Sequence, residues 1–174
     1  MDYTNQRNEW IEMVKAIIVT IFIAFILQSF VFSASIVEGE SMEPTLESGN
    51  RIIFNKLIYL ISEPKRGDVV IIEQGDKNYV KRVIGLPEET LEVRNHVIYI
   101  DNQPLEENFI PEQYVNRTAN YGPVSIPADS YFVMGDNRGL SKDSRNGLGF
   151  IHKKNIIGRS EVIIYPFHDW ARTK

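Results

Sequence analysis

A run of 22 residues without a single Asp, Glu, Lys or Arg, from Ala16 to Val37, is the strongest constraint in the 174-residue sequence. At 1.5 Å per residue, a helix of this length covers roughly 33 Å, which is enough to cross a hydrocarbon core of about 30 Å. Trp10 lies upstream, where an aromatic side chain anchors at a membrane interface. The run therefore predicts a transmembrane helix at 16–37, between a short segment at 1–15 and a domain at 38–174.

Two other interpretations of this run stay open. A cleaved secretory signal has a core of about 7–15 apolar residues followed by small ones, and Ser33-Ala34-Ser35 supplies small residues. The apolar character continues past Gln28, which makes the run longer than an export signal requires. A buried helix of a soluble protein is the third interpretation. Charge does not decide which way a membrane helix would point, because the segment before it, 1–15, contains only two basic residues, Arg7 and Lys15.

The overall composition excludes some classes of function. The net charge of the chain is −4, so it lacks the excess positive charge that binds the phosphates of a nucleic acid. The chain has no cysteine, which excludes disulfides and thiolate chemistry but does not decide the compartment. Its three histidines lack the spacing of metal ligands, and we therefore expect no metal and no cofactor.

Short runs of β-branched and aromatic residues, separated by Gly, Pro, Asn and Asp, fill the rest of the sequence. They predict a mostly β fold in which one N-terminal transmembrane helix precedes an antiparallel, sandwich-like or barrel-like domain. A short helical piece is expected at 153–157. The segment 52–61 is predicted to be a core strand, with a membrane-contacting edge as the alternative. The other predicted strands are 69–72, 79–84, 90–93, 97–100, 131–134 and 161–165.

Ser41 and Lys81 are the first candidate reactive residues. Ser41 lies four residues after the apolar run, at most about 14 Å along the chain from Val37, and so acts close to the bilayer if it acts at all. Taken alone, Ser41 is typical of a turn around Pro44. Lys81 lies in a strand-like run, where an ordinary solvated lysine is also typical. If its face of the strand is covered, burial lowers the pKa of the amine from about 10.4 and makes it a general base.

A third polar segment runs from Gly135 to Arg145, directly after a predicted strand. It is dense in Gly, Asp, Asn, Ser and Arg, which is typical of a loop held by its own hydrogen bonds and ion pairs. Loops on a rigid scaffold are where functional sites are usually assembled.

The chain carries four motifs in order, which are Ser41-Met42-Glu43-Pro44-Thr45, Arg66-Gly67-Asp68-Val69-Val70, Tyr79-Val80-Lys81-Arg82-Val83-Ile84-Gly85-Leu86-Pro87 and Gly135-Asp136-Asn137-Arg138 with Ser141, Asp143, Ser144 and Arg145. Together they closely resemble the motifs of the type I signal peptidases, from about residue 10 to residue 165. The resemblance implies a compact, single-span membrane serine protease with a Ser/Lys dyad, its N-terminus cytoplasmic and its catalytic domain on the outer face of a bacterial membrane. Such enzymes remove signal peptides from secreted preproteins. The implied partners are those preproteins, the lipid bilayer and the nearby secretion translocon.

The resemblance also implies a role for each motif residue. Ser41 is the nucleophile and Lys81 the general base. Ser141 matches a serine that hydrogen-bonds and orients the lysine, and Asp143 with Arg145 matches an ion pair that supports it. The Ser41 N–H is one oxyanion donor, whereas Gly39 stands where some members have a serine whose hydroxyl is the second donor. The residues implied to line the shallow apolar substrate pockets are Val37, Met42, Leu46, Tyr79 and Val80.

Three other functions fit parts of the sequence. A Ser/His/Asp hydrolase could pair Ser41 with His96, His152 or His168, but the segment around Ser41 lacks the second glycine of a nucleophile elbow. Self-cleaving repressors also use a Ser/Lys pair for catalysis, but they carry a DNA-binding domain and no membrane span. The third is a membrane-anchored binding protein that has lost catalysis, and the presence of Ser41, Lys81 and Ser141 disfavours it.

Overall fold

The computed structural model describes residues 3–167 and 171–173, and the side chains of residues 9–26, 31–167 and 171–173. The helices are α1 Tyr3–Val31, α2 Ile58–Ile61 and α3 Glu112–Val115, and a short 3₁₀ helix covers Lys153–Asn155. The strands are β1 Phe32–Ile36, β2 Arg51–Asn55, β3 Val69–Gln74, β4 Lys77–Gly85, β5 Thr90–Arg94, β6 Val97–Ile100, β7 Gln103–Pro104, β8 Tyr121–Ser125, β9 Ser130–Met134, β10 Ile151–His152 and β11 Ile156–Tyr165.

The strands form two sheets, and every pairing between the named strands is antiparallel. The larger sheet has seven strands in the order β1-β2-β11-β3-β4-β9-β10, and the smaller has four in the order β7-β6-β5-β8. The mostly β, antiparallel prediction is therefore confirmed. Six predicted strands are present as β3, β4, β5, β6, β9 and the second half of β11.

The centre of the larger sheet is covered on both faces. Along β9, Tyr131 and Val133 pack into one apolar cluster, whereas Phe132 and Met134 pack into another with residues of β5 and β6. Successive side chains of a strand point to opposite faces, so this division shows that each face carries its own core. A charged side chain on the middle of β4 is consequently buried whichever way it points.

The N-terminal helix differs from the predicted segment 16–37 at both ends. It begins at Tyr3 and ends at Val31, and the next five residues form β1. These residues pair with β2 in unbroken register, from Phe32 opposite Asn55 to Ile36 opposite Arg51. Their alternation of exposed and half-buried positions suits a sheet, and the pairing supplies ladder hydrogen bonds. Within residues 3–167 and 171–173, none of the helices combines the length and the apolar character that a membrane crossing requires.

Two other segments depart from the predicted secondary structure. The segment 52–61 is a core strand only as far as Asn55, with Ile52 and Phe54 buried, and its second half is α2. The Asn55 side-chain oxygen accepts hydrogen bonds from the N–H groups of Leu57 and Ile58, and so turns the chain out of the strand. The helical piece expected at 153–157 is the 3₁₀ helix at Lys153–Asn155, after which β11 begins.

Candidate active site

Ser41 and Lys81, which are 40 residues apart in sequence, meet in the structure. Ser41 lies in a turn after β1, and Lys81 lies in the middle of β4. The Lys81 Nζ donates a hydrogen bond of 2.7 Å to the Ser41 Oγ and one of 2.8 Å to the Val80 carbonyl oxygen. The serine oxygen and the lysine nitrogen are therefore close enough for direct proton transfer.

Lys81 is only 3% exposed, and this burial governs its charge. Burial lowers the pKa of Lys81 from 10.5 to about 8, and the charges of Asp143 and Asp136 oppose the shift. Removing water from around an ammonium destabilises the charged form, which is the reason for the direction. Neutral amine is thus present near pH 8, where it can accept a proton from a hydroxyl.

The turn that carries Ser41 is fixed from two sides. Beneath it lies an apolar cluster that includes Val37, Met42 and Leu46 together with Ile52 of β2. On its other side, the Asn137 N–H donates a 3.1 Å hydrogen bond to the Ser41 carbonyl oxygen. Gly135 makes this approach possible, because a Cβ at Gly135 would collide with the Ser41 carbonyl oxygen and the Ser141 hydroxyl.

Asp143 and Arg145 form the ion pair that the resemblance implies. The Arg145 Nε donates to Asp143 Oδ1 at 2.9 Å and its Nη2 donates to Oδ2 at 2.7 Å, which is bidentate geometry. The Gly135 N–H donates to the same carboxylate at 3.0 Å. Burial acts to raise the pKa of Asp143, but the hydrogen bond and charge of Arg145 prevail and hold it below the ordinary value. Asp143 is therefore an ionised group whose charge acts on Lys81.

Ser141 is placed differently from the expected bond to Lys81. Its side chain is buried, and its Oγ forms no hydrogen bond within the described part of the chain. The hydroxyl is near enough to Asp143 to help lower the pKa of that carboxyl, although the pair does not reach hydrogen-bond geometry. The Lys81 amine is held by Ser41 and Val80 instead.

A cleft of about 170 Å³ opens at the Ser41–Lys81 pair. Four of the five residues expected to line the substrate pockets do line it, namely Val37, Met42, Tyr79 and Val80. Leu46 does not, because it is fully buried in the cluster below the Ser41 turn. Its expected role at the cleft surface is therefore corrected to packing beneath it.

The backbone around Ser41 leaves its own amide available. The Ser41 N–H has no hydrogen-bond acceptor in the described residues. Gly39 has a positive φ of 88°, a conformation that glycine adopts without strain. Its N–H donates a 3.3 Å hydrogen bond to the Ser48 hydroxyl. The geometry thus offers one free amide donor beside the serine oxygen.

A buried network next to the site was not predicted. The Arg82 side chain is 1% exposed, and its guanidinium donates to the Asp136 carboxylate at 2.9 and 2.6 Å. Asp136 also accepts a 2.6 Å hydrogen bond from Thr45, four residues after Ser41. Phe109 covers the guanidinium at 4.5 Å from its ring centroid. The network ties the Ser41 turn to the loop after β9 by a second route.

The histidines that a Ser/His/Asp site would use lie elsewhere. His96 contacts the Thr118 carbonyl oxygen through its Nδ1, and His152 lines a different cavity beside α2. His168 lies outside the described residues. No described histidine contacts Ser41, whose hydroxyl faces Lys81 instead.

Comparison with known proteins gives a consistent result. The family model described as signal peptidase, peptidase S26, matches residues 10–165. A signal peptidase I of Bacillus licheniformis is 42% identical over 179 residues, covering 98% of this chain and 96% of that protein. Signal peptidase I S of Bacillus subtilis strain 168 is 38% identical, covering 97% of this chain and 96% of that protein.

A solved structure is similar as well. The crystal structure of a signal peptidase I from Enterococcus faecalis V583 matches with a TM-score of 0.52 and 30% identity, covering 57% of this chain and 97% of that chain. Near-complete coverage of the relatives agrees with the ordered motifs around Ser41, Lys81 and Asp143. The chain belongs to the signal peptidase family, peptidase S26.

Proposed function

We propose that the chain is a serine endopeptidase that removes N-terminal signal peptides from secreted preproteins, with Ser41 as the nucleophile and Lys81 as the general base. The observation that carries the proposal is the 2.7 Å separation between the Ser41 Oγ and a buried Lys81 amine whose pKa is lowered to about 8. A hydroxyl beside a base of near-neutral pKa is the arrangement that activates a serine for acyl transfer. The relatives are named signal peptidase I, which supports the choice of substrate.

The first half of the reaction acylates Ser41. The Ser41 Oγ attacks the carbonyl carbon of the scissile peptide bond while its proton passes to the neutral Lys81 Nζ. The resulting oxyanion accepts a hydrogen bond from the free Ser41 N–H, and one such donor is worth around 3 kcal/mol of transition-state stabilisation. The C–N bond then breaks, and the leaving amine of the mature protein takes the proton from the Lys81 ammonium.

The second half hydrolyses the ester. A water molecule gives its proton to the again neutral Lys81 and attacks the acyl carbon. The ester C–O bond breaks, the Ser41 oxygen recovers a proton from Lys81, and the signal peptide leaves with a new carboxyl group, which loses its proton to the solvent. Lys81 ends each half-reaction neutral, so one base of suitable pKa serves both.

Ser141, Asp143 and Arg145 are proposed to position the lysine. Arg145 keeps Asp143 ionised, and the Asp143 charge steadies the Lys81 ammonium that forms during each proton transfer. The buried Ser141 hydroxyl, without a hydrogen-bond partner in the described chain, is proposed as an acceptor for that ammonium once Ser41 has become acylated. Ser141→Ala is then expected to reduce turnover without loss of stability, because the change removes an unsatisfied buried group.

The cleft residues Val37, Met42, Tyr79 and Val80 are proposed to accept the residues that precede the cleaved bond. A cleft of about 170 Å³ holds few side chains, and this size supports a substrate with small residues at these positions. The test is a peptide series in which those residues are enlarged one at a time, which we expect to raise KM steeply at the positions closest to the bond.

Attachment to a membrane through α1 is also proposed. Apolar side chains are exposed along the helix, including Trp10, Phe22 and Phe25, and water solvates such a surface poorly. The single-pass topology, with a cytoplasmic N-terminus and an extracytoplasmic catalytic domain near the translocon, stays a prediction. Protease added to the outside of intact cells stripped of their wall tests it, because only an outward-facing domain is digested.

Cleavage of a purified preprotein by the detergent-solubilised chain tests the proposed activity, with the cleavage site identified by mass. We expect the wild-type protein to cut once at the end of the signal peptide, and both Ser41→Ala and Lys81→Ala to abolish cleavage with the fold unchanged by circular dichroism. The matched controls are Ser125→Ala and Lys77→Ala, which alter exposed residues and should keep full activity. Cleavage retained by either site variant contradicts the proposed dyad.

A further inference from the structure

The short helix α2 exposes two consecutive apolar side chains on the surface of the domain. Leu60 is 78% exposed and Ile61 87% exposed, and Leu57 before them is partly exposed. We name these three residues the α2 patch. The helix cannot rotate to hide the patch, because Tyr59 on its other side is buried in the core and its hydroxyl donates a 2.9 Å hydrogen bond to Asp68.

A cavity of about 510 Å³ adjoins the α2 patch. Ile156 and Ile157 give it an apolar wall, and Lys56, Lys153 and Lys154 lie around it with Asp129 and His152. Lys153 is paired with Glu63, whereas Lys56 and Lys154 have no ion-pair partner within the described residues. The three lysines outnumber the two carboxylates near them, Asp129 and Glu63, although the whole chain carries a net charge of −4. The surface combines exposed apolar side chains with free positive charge.

The α2 patch begins where α1 ends. The Lys56 N–H donates a 2.8 Å hydrogen bond to the carbonyl oxygen of Val31, the last residue of α1. Leu60 is four residues further on, which is at most about 14 Å along the chain. If α1 is attached to a bilayer, its end and the α2 patch meet the same headgroup region.

We propose that the α2 patch is a second membrane contact, which inserts Leu60 and Ile61 at the acyl boundary and binds the phosphates of anionic lipids through Lys56 and Lys154. Apolar side chains flanked by lysines are the composition of interfacial membrane anchors. The inference rests on the proposed attachment of α1 to a membrane. Two contacts at one end of the β1–β2 pair hold the domain at a fixed angle, and the Ser41 cleft lies at the other end of β1.

Spin labels on the full-length chain test this contact, since the absence of native cysteine allows one label per variant. Leu60→Cys and Ile61→Cys carry the label in the α2 patch, and Val97→Cys is the matched control, an exposed apolar residue of the smaller sheet. Each variant is reconstituted into vesicles of phosphatidylcholine and phosphatidylglycerol in equal parts. We expect the ratio of oxygen to aqueous nickel-complex accessibility at positions 60 and 61 to be several times that at position 97.

The possible results separate this inference from the proposed attachment of α1. A chain that does not sediment with vesicles overturns both. A chain that sediments while position 60 stays as water-accessible as position 97 overturns the α2 contact alone. Dipolar broadening between labels at position 60, without oxygen accessibility, also overturns it and indicates a second copy of the chain as the occupant.

The lysine part of the inference has its own test. Lys56→Gln combined with Lys154→Gln should lose most of the oxygen accessibility at position 60 on the mixed vesicles. Vesicles of phosphatidylcholine alone should produce the same loss with the unaltered lysines. Equal immersion under all three conditions overturns the binding of anionic headgroups.

Discussion

The pH dependence of cleavage follows from the burial of Lys81. Desolvation lowers its pKa from 10.5 to about 8, a change that corresponds to about 3 kcal/mol against the charged form. At pH 7.5, roughly a quarter of the molecules then carry a neutral Lys81, compared with roughly one in a thousand for an unperturbed lysine. Because only the neutral amine accepts the Ser41 proton, kcat/KM should fall about tenfold for each pH unit below 8 and be roughly a hundredfold lower at pH 6 than on the plateau.

The assay measures kcat/KM from pH 6 to 9.5 with a peptide substrate that has no group titrating in this range. Asp143 stays ionised throughout, since its own pKa lies below the ordinary value for a carboxyl, so the midpoint reports the lysine. Fluorescence at each pH checks that the protein stays folded. A midpoint near 8 agrees with a buried lysine base. A rate that is constant over the whole range, or a midpoint near 10, refutes the reasoning from burial.

The remaining predictions concern stability and packing. Lys81→Met should raise the free energy of unfolding at pH 7 by up to about 3 kcal/mol, because the folded wild type disfavours the charged amine, and the difference should vanish as the pH rises from about 8 to 10.5. Asp136→Asn should lower the free energy of urea unfolding by about 3–5 kcal/mol, because it leaves the Arg82 guanidinium buried without a charged partner. Gly135→Ala should lose most activity and about 1–3 kcal/mol of stability by overpacking, whereas Gly139→Ala in the same loop meets only ordinary contacts and should behave as wild type.

The strands were predictable where turn residues stand at both ends of an apolar run. Residues 97–100 are β6 with the same bounds, because Asn95 before them and Asp101 after them adopt positive φ in tight turns. The end of α1 was not predictable, because the residues of β1 continue the uncharged run of the helix without a charged residue to mark the boundary. A short apolar run fits a strand or a helix equally well, and only the partner strand decides between them. For residues 58–61, Asn55 was the available signal, because its side chain caps the turn into α2.

The residues of the site were predictable from their motifs, but the contacts between them were not. The separation of 40 positions between Ser41 and Lys81 does not dictate a contact, and the 2.7 Å separation of their side chains depends on where β4 lies in the sheet. Strand alternation places Arg82 on the opposite face from Lys81, but the sequence does not show what covers that face. The smaller sheet and Phe109 cover that face, and this turns Arg82 and Asp136 into a buried pair.

Replacement of the proposed base by a chemically similar amine tests the central claim most directly. Lys81→Cys places one thiol in a chain without others, and aminoethylation of the unfolded protein followed by refolding rebuilds a lysine-like side chain with a thioether. The thioether lowers the pKa of the amine. We predict that the unmodified variant is inactive, that aminoethylation restores cleavage, and that the midpoint of kcat/KM moves to lower pH. Activity in the unmodified thiol variant, or restored cleavage with an unchanged midpoint, contradicts Lys81 as the base that activates Ser41.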